Sequence, residues 1–72
     1  MEDPVWYGEA ECTDGTTIRR IYDFNEHTYL AECKRQHEIE GELISEACEE
    51  HGGCEFYSVG VHERDIVEGW LV

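Results

Sequence analysis

Cys48, His51 and Cys54 are spaced three residues apart, and each can offer a soft or borderline ligand to a metal ion. Thiolate, imidazole and thiolate at that spacing, wrapped around a helix end with Gly52 and Gly53, could close on Zn²⁺. A structural zinc site wants four ligands, and Cys12 or His62 are the candidates for the fourth. The common zinc pattern has two short ligand pairs far apart, and this chain holds one cluster, so free thiols are the expected state and metal the weaker alternative. Cys33 and His37 stand one helical turn apart, a spacing at which an imidazole can activate a thiol. No third group to orient the ring can be named, so His37 is expected to bond within the layer between helix and sheet. The chain carries no phosphate loop, nucleophile elbow, HExxH zinc motif or dinucleotide fingerprint. Catalysis is not expected, nor is a cofactor.

The carboxylates make the stronger pattern. Lys and Arg number 5 against 18 Asp and Glu, for a formal net charge of −13 over 72 residues. On a helix, Glu38, Glu42, Glu46 and Glu49 would form a file of neighbours about 5–6 Å apart. Glu32 and Glu50 fall on the same arc, relieved only by Lys34 and Arg35 nearby. Like charges at this spacing cost roughly 0.2–0.5 kcal/mol per pair, more repulsion than solubility alone requires. Such a charge argues against direct contact with nucleic-acid phosphates and against an anionic membrane surface. No apolar run approaches the ~20 residues of a membrane span. The acidic start MEDPVWYGE lacks the apolar stretch of a signal peptide, so the expected location is cytoplasmic, with reduced thiols.

The elements that would position these groups form a single small domain over 1–72. Val5 to Cys12 alternates as a strand, with Trp6, Gly8, Ala10 and Cys12 on one face and Tyr7, Glu9 and Glu11 on the other. Thr13-Asp14-Gly15-Thr16 is a hairpin turn, and Thr17 to Phe24 is the second strand. Ile21 breaks the parity of that strand, which implies either a bulge at Arg19-Arg20 or burial on both faces. A helix is expected from an Asn25 N-cap to His51, ended by the glycines, with Gly41 as its weak point. Its buried arc would hold Leu30, Cys33, His37, Ile44, Ala47 and Cys48; Ile39 and Leu43 lie off that arc and either widen the buried face or form a small exposed apolar spot beside the acids. Cys54 to Val61 reads as a third strand, His62 to Asp65 as a turn, and Ile66 to Val72 as a fourth strand. The predicted fold is α+β: a two-layer β-β-α-β-β domain, antiparallel in the order 2-1-3-4, with one long acidic helix on one face. Trp6, Ile18, Tyr22, Phe24, Leu30, Ile44, Phe56 and Trp70 are its expected core.

A row of carboxylates on one helix is comparable to the line of phosphates on a nucleic-acid strand. The expected partner is therefore a basic protein surface, the groove of a nucleic-acid-processing complex, met through Glu32, Glu38, Glu42, Glu46, Glu49 and Glu50. Small acidic proteins of viral anti-restriction and anti-CRISPR type act as nucleic-acid mimics in this way, and the likeness is one of type rather than of motif; for such a protein the place of action would be the host cytoplasm. The alternative is a generic acidic, salt-adapted domain or subunit, whose acids would be spread evenly. A small zinc-binding domain built on Cys48, His51 and Cys54 is the minor alternative.

Overall fold

The chain turns first at Asp14-Gly15, where Gly15 takes φ 90° and its N–H donates to the Cys12 carbonyl at 3.0 Å. The Asp14 carboxylate accepts from the Thr16 N–H at 2.9 Å, which closes the turn from its side chain. Two strands flank it, β1 (Pro4–Cys12) and β2 (Thr17–Asp23), paired antiparallel from Val5↔Asp23 to Glu11↔Thr17 without a slip. The computed structural model describes residues 3–71. Because the β1–β2 register is continuous, Ile21 is explained by burial on both faces of β2 and not by a bulge.

The helix α1 spans Tyr29–His51, starting three residues later than an Asn25 cap would place it. Thr28 is the N-cap, in extended conformation, its hydroxyl accepting from the Ala31 N–H at 3.1 Å. The segment before it is tied down by Glu26, whose carboxylate accepts from the Asn25 N–H at 2.8 Å and the Trp6 indole at 3.3 Å. Gly52, at φ 83°, ends the helix as sequence composition leads one to expect. Strand β3 (Cys54–Glu63) then returns along the free edge of β1, giving a three-stranded antiparallel sheet in the order β2-β1-β3. One irregularity, between Glu11 and Cys12, lets Cys12 face Cys54.

The four-stranded prediction is corrected at this point. His62 to Asp65 is not a turn, and Ile66 onward is not a fourth strand: β3 runs directly into a second helix, α2 (Arg64–Leu71). (Val72, the end of the expected strand, lies outside the described residues.) Ile66, Val67, Trp70 and Leu71 fit helical spacing as well as alternation, and so short an apolar run does not discriminate between them. What decides it is the uncovered side of the sheet. Val5, Tyr7 and Ile21 emerge there, and α2 buries Val67 against them, whereas a fourth strand beside β3 would have left them wet. Arg64 pins the junction, its N–H donating to the Asp3 carbonyl at 3.0 Å and its guanidinium to the Asp3 carboxylate at 2.8 Å.

The core of the other face consists of Trp6, Ala10, Cys12 and Ile18 from the sheet and Ile39, Leu43 and Ala47 from α1. Trp6 and Ile18 are buried as expected, and Tyr22 and Phe24 pack at the margin. Leu30 is 80% exposed, Phe56 55% and Trp70 45%, and Ile44 is half-buried, so these four are not core residues. The buried arc of α1 is rotated by about a quarter turn from the predicted one. Gly8 fixes that rotation. A methyl group there would lie 2.8 Å from Leu43 Cδ1 and 3.2 Å from Ile39 Cγ2, so the bare backbone of β1 is the seat of those two side chains.

Candidate functional site

The rotation of α1 decides where its acids go. Glu38, Glu42 and Glu49 are exposed, Glu42 on the flank of the helix beside β2. Glu46 also flanks the sheet, where Arg20 donates to its carboxylate at 2.7 Å. Glu32 is half-buried near the helix start, and Glu50 is exposed near its end. The expected file of four is thus split: Glu46 is neutralised by Arg20, and Glu38 shares Arg35 with Glu26, at 3.3 and 3.8 Å. Arg19 pairs with Glu9 at 3.2 Å, and Arg64 reaches both Asp3 and Asp23. Every arginine is therefore engaged. Among the described residues no cation lies within 4.0 Å of Glu32, Glu42, Glu49 or Glu50, and Lys34 is the exposed cation left on the helix. Glu42 also faces the Tyr22 hydroxyl; burial first and this carboxylate second push the Tyr22 phenol up.

The metal-like cluster is arranged differently from its spacing in the sequence. Cys48 is exposed, and Cys54 lies in β3 with its thiol donating to the Phe56 carbonyl at 3.4 Å. His51 turns to the hairpin, its Nδ1 2.9 Å from the Asp14 carboxylate, while the Thr13 hydroxyl donates to the His51 carbonyl at 3.2 Å. These contacts tie the helix end to the β1–β2 turn. Two hydrogen bonds from Thr16, backbone first and hydroxyl second, and then His51 hold the Asp14 carboxyl below the usual range. Among the described residues, the ligand set whose donor atoms lie within 4.8 Å of each other is Glu46, Glu50 and His51, not Cys48, His51 and Cys54. Glu46 in that set is already bound to Arg20.

Contrary to the expectation from sequence, His37 does not bond within the layer between helix and sheet, because the rotation of α1 turns it outward. The His37 side chain is 81% exposed, and its Nδ1 lies 3.2 Å from Glu40, on the same helix. Cys33 stands beside the exposed Tyr29, whose phenol is pushed up chiefly by hydrogen bonding to that thiol. Cys12 is the buried thiol, raised first by desolvation and then by the charge of Asp14.

A second feature was missed by sequence reasoning. On the α2 side of the sheet, Tyr7, Glu9, Arg19, Ser58, His62 and Trp70 line a shallow depression of about 490 Å³. The Tyr7 hydroxyl donates to Glu9 Oε1 at 2.9 Å and Arg19 Nε donates to the same oxygen at 3.2 Å. Burial, then Glu9, raises the Tyr7 phenol. His62 and Tyr7 both meet the Trp70 ring edge-on, with centroids 5.0 and 5.3 Å away, so His62 is not the free loop histidine its position implied. The available signal was the alternation of β1, which sets Tyr7 and Glu9 side by side; the missing partner was α2, read as a strand.

Among the described residues, no helix is long and apolar enough to cross a membrane. Comparison of the chain with known protein families, with curated proteins and with solved structures gives no match.

Proposed function

We propose that this chain binds a basic protein surface through the outer side of α1, the partner being a nucleic-acid-processing protein whose nucleic acid it displaces. The observation that carries the reading is the distribution of counter-charge: the four arginines are tied to Asp3, Glu9, Asp23, Glu26, Glu38 and Glu46, whereas among the described residues Glu42, Glu49 and Glu50 on the distal half of α1 have no cation within 4.0 Å. A helix of 23 residues is about 34 Å long, close to one turn of duplex. Its unneutralised carboxylates are held on a rigid element, so a cationic groove meets them without ordering a loop.

A second reading is favoured by Glu11, Glu55, Glu63, Asp65 and Glu68, which are exposed on other elements. Acids on strands and on α2 are what a generally hydrated, salt-adapted surface wants. The two readings differ in what a local change does.

Glu38, Glu42 and Glu49 changed together to Gln remove three exposed charges and keep side-chain length. Immobilised parent protein should capture basic proteins from a lysate, release them when salt is raised, and release them to added duplex DNA or RNA. The triple variant should associate at least about tenfold more slowly, because complementary charge steers the encounter. Equal association by the triple variant would leave the acidic-domain reading standing and remove α1 as the binding surface.

A further inference from the structure

We infer that the outer edge of β3 is a self-association surface on which two copies of this chain pair antiparallel, about a two-fold axis at Ser58, into one six-stranded sheet. Strand β3 is ten residues long, and β1 occupies only its inner edge. Among the described residues, nothing pairs with the outer one. Edge strands are ordinarily protected by charge, proline, a bulge or brevity. At the opposite edge β2 obeys this, carrying Arg19, Arg20 and Asp23. From Phe56 to Val61 β3 has no charged residue and no proline, and its irregularity lies at its far end, beside Cys54. Phe56 and Tyr57, on opposite faces of the strand, are 55% and 44% exposed.

Charge selects the occupant. In a molecule of formal charge −13, a cationic segment is drawn to the carboxylates elsewhere and finds none along Phe56–Val61. A second acidic copy meets the reverse situation: this neutral stretch is where two such molecules can approach with least repulsion. The strand also complements itself. Side-chain parity allows registers that differ by two residues. With Ser58 opposite Ser58, Phe56 faces Gly60 of the second copy and Tyr57 faces Val59. A methyl group at Gly60 would meet only the His62 ring, at 3.4 Å, so the space over that glycine is open to an aromatic ring. The next register would set Glu55 against Glu63, like charges directly opposed. This inference does not depend on the basic-partner reading, and salt acts on the two with opposite sign. Screening weakens binding to a basic partner and strengthens pairing of two acidic copies.

Sedimentation equilibrium of the whole chain, between about 0.05 M and 0.5 M salt, tests it. A monomer–dimer equilibrium that tightens with salt is expected, and amide exchange over Phe56–Val61 should slow as protein concentration rises. Ser58→Lys places two ammonium groups against each other at the axis while lowering the net charge. It should raise the dissociation constant at least about tenfold, whereas a dimer formed elsewhere would tighten. Ser58→Thr, which suits a strand, should leave the dimer intact, and circular dichroism melts establish that both variants fold. A monomer at every concentration and salt, a dimer indifferent to Ser58→Lys, or a dimer without slowed exchange in β3 would each overturn the inference.

Discussion

Under α1, the sheet excludes water from Trp6, Ala10, Cys12 and Ile18 and lays Ile39, Leu43 and Ala47 on them; under α2, Val5, Tyr7 and Val67 are the buried set. The first face is sealed by a 23-residue helix seated on a glycine. An eight-residue helix covers the second face, and beyond it the strands continue with Glu9, Arg19 and Ser58 around an open depression. One face is thus a core in the ordinary sense, built of apolar side chains at close packing. The other is an aromatic corner joined to an ion-paired surface. A domain this small buries only about 60% of the surface of its unfolded chain, and it spends most of that burial on one side. The half-covered side keeps polar and aromatic groups near solvent, where they can meet a partner.

The largest test of this asymmetry is truncation on each face. Leu43→Ala, at 1% exposure, should cost about 2–5 kcal/mol and unfold a large share of the protein at room temperature. Trp70→Ala, although it removes a larger side chain, should cost only about 1–2 kcal/mol because the ring is already 45% exposed. Denaturant melts measure both; a Trp70 variant as unstable as the Leu43 variant would mean that the α2 side is the equal of the α1 side.

Glycine substitutions sharpen the comparison at a smaller scale. Gly8→Ala drives a methyl to within 2.8 Å of Leu43 Cδ1 and should destabilise by about 1–3 kcal/mol. Gly41→Ala and Gly69→Ala, where an added carbon meets nothing within 4 Å, should each stabilise their helix by up to about 0.8–1 kcal/mol. Thermal melts that show Gly8→Ala as neutral would remove the close approach of α1 as the reason for its rotation.

The smallest effect is expected at the hairpin, and it depends on pH. Asp14 has a lowered folded-state pKa, so its contribution is present above the ordinary aspartate value of about 3.9 and is lost as pH falls through the lower folded value. Asp14→Asn keeps an acceptor for the Thr16 N–H but loses the charge facing His51. The variant should melt slightly below the parent at neutral pH. That gap should close in acid below the ordinary aspartate range. A gap that persists well below that range would show that the Asp14 charge does nothing for the turn.

The sequence by itself determined the local structure: the Asp14-Gly15 turn, the alternation of β1, the long helix and its Gly52 stop, each of which depends on dihedral preference and short-range hydrogen bonds. It also determined the excess of acid and the absence of a recognisable catalytic motif. Tertiary structure decided which side of α1 faces inward. Periodicity made two arcs comparable, and the choice fell to Ile39 and Leu43 because Gly8, far away in the chain, leaves room for them. The same decision set Glu46 against Arg20 and left Glu42 and Glu49 outside. It brought His51 to Asp14 and away from a metal-like trio, because the helix end docks on the hairpin. Tertiary structure also made the last segment a helix. A short apolar run satisfies both periods, and what separates them is the apolar surface it must cover, here Val5, Tyr7 and Ile21 on the far face of a sheet that α1 cannot reach.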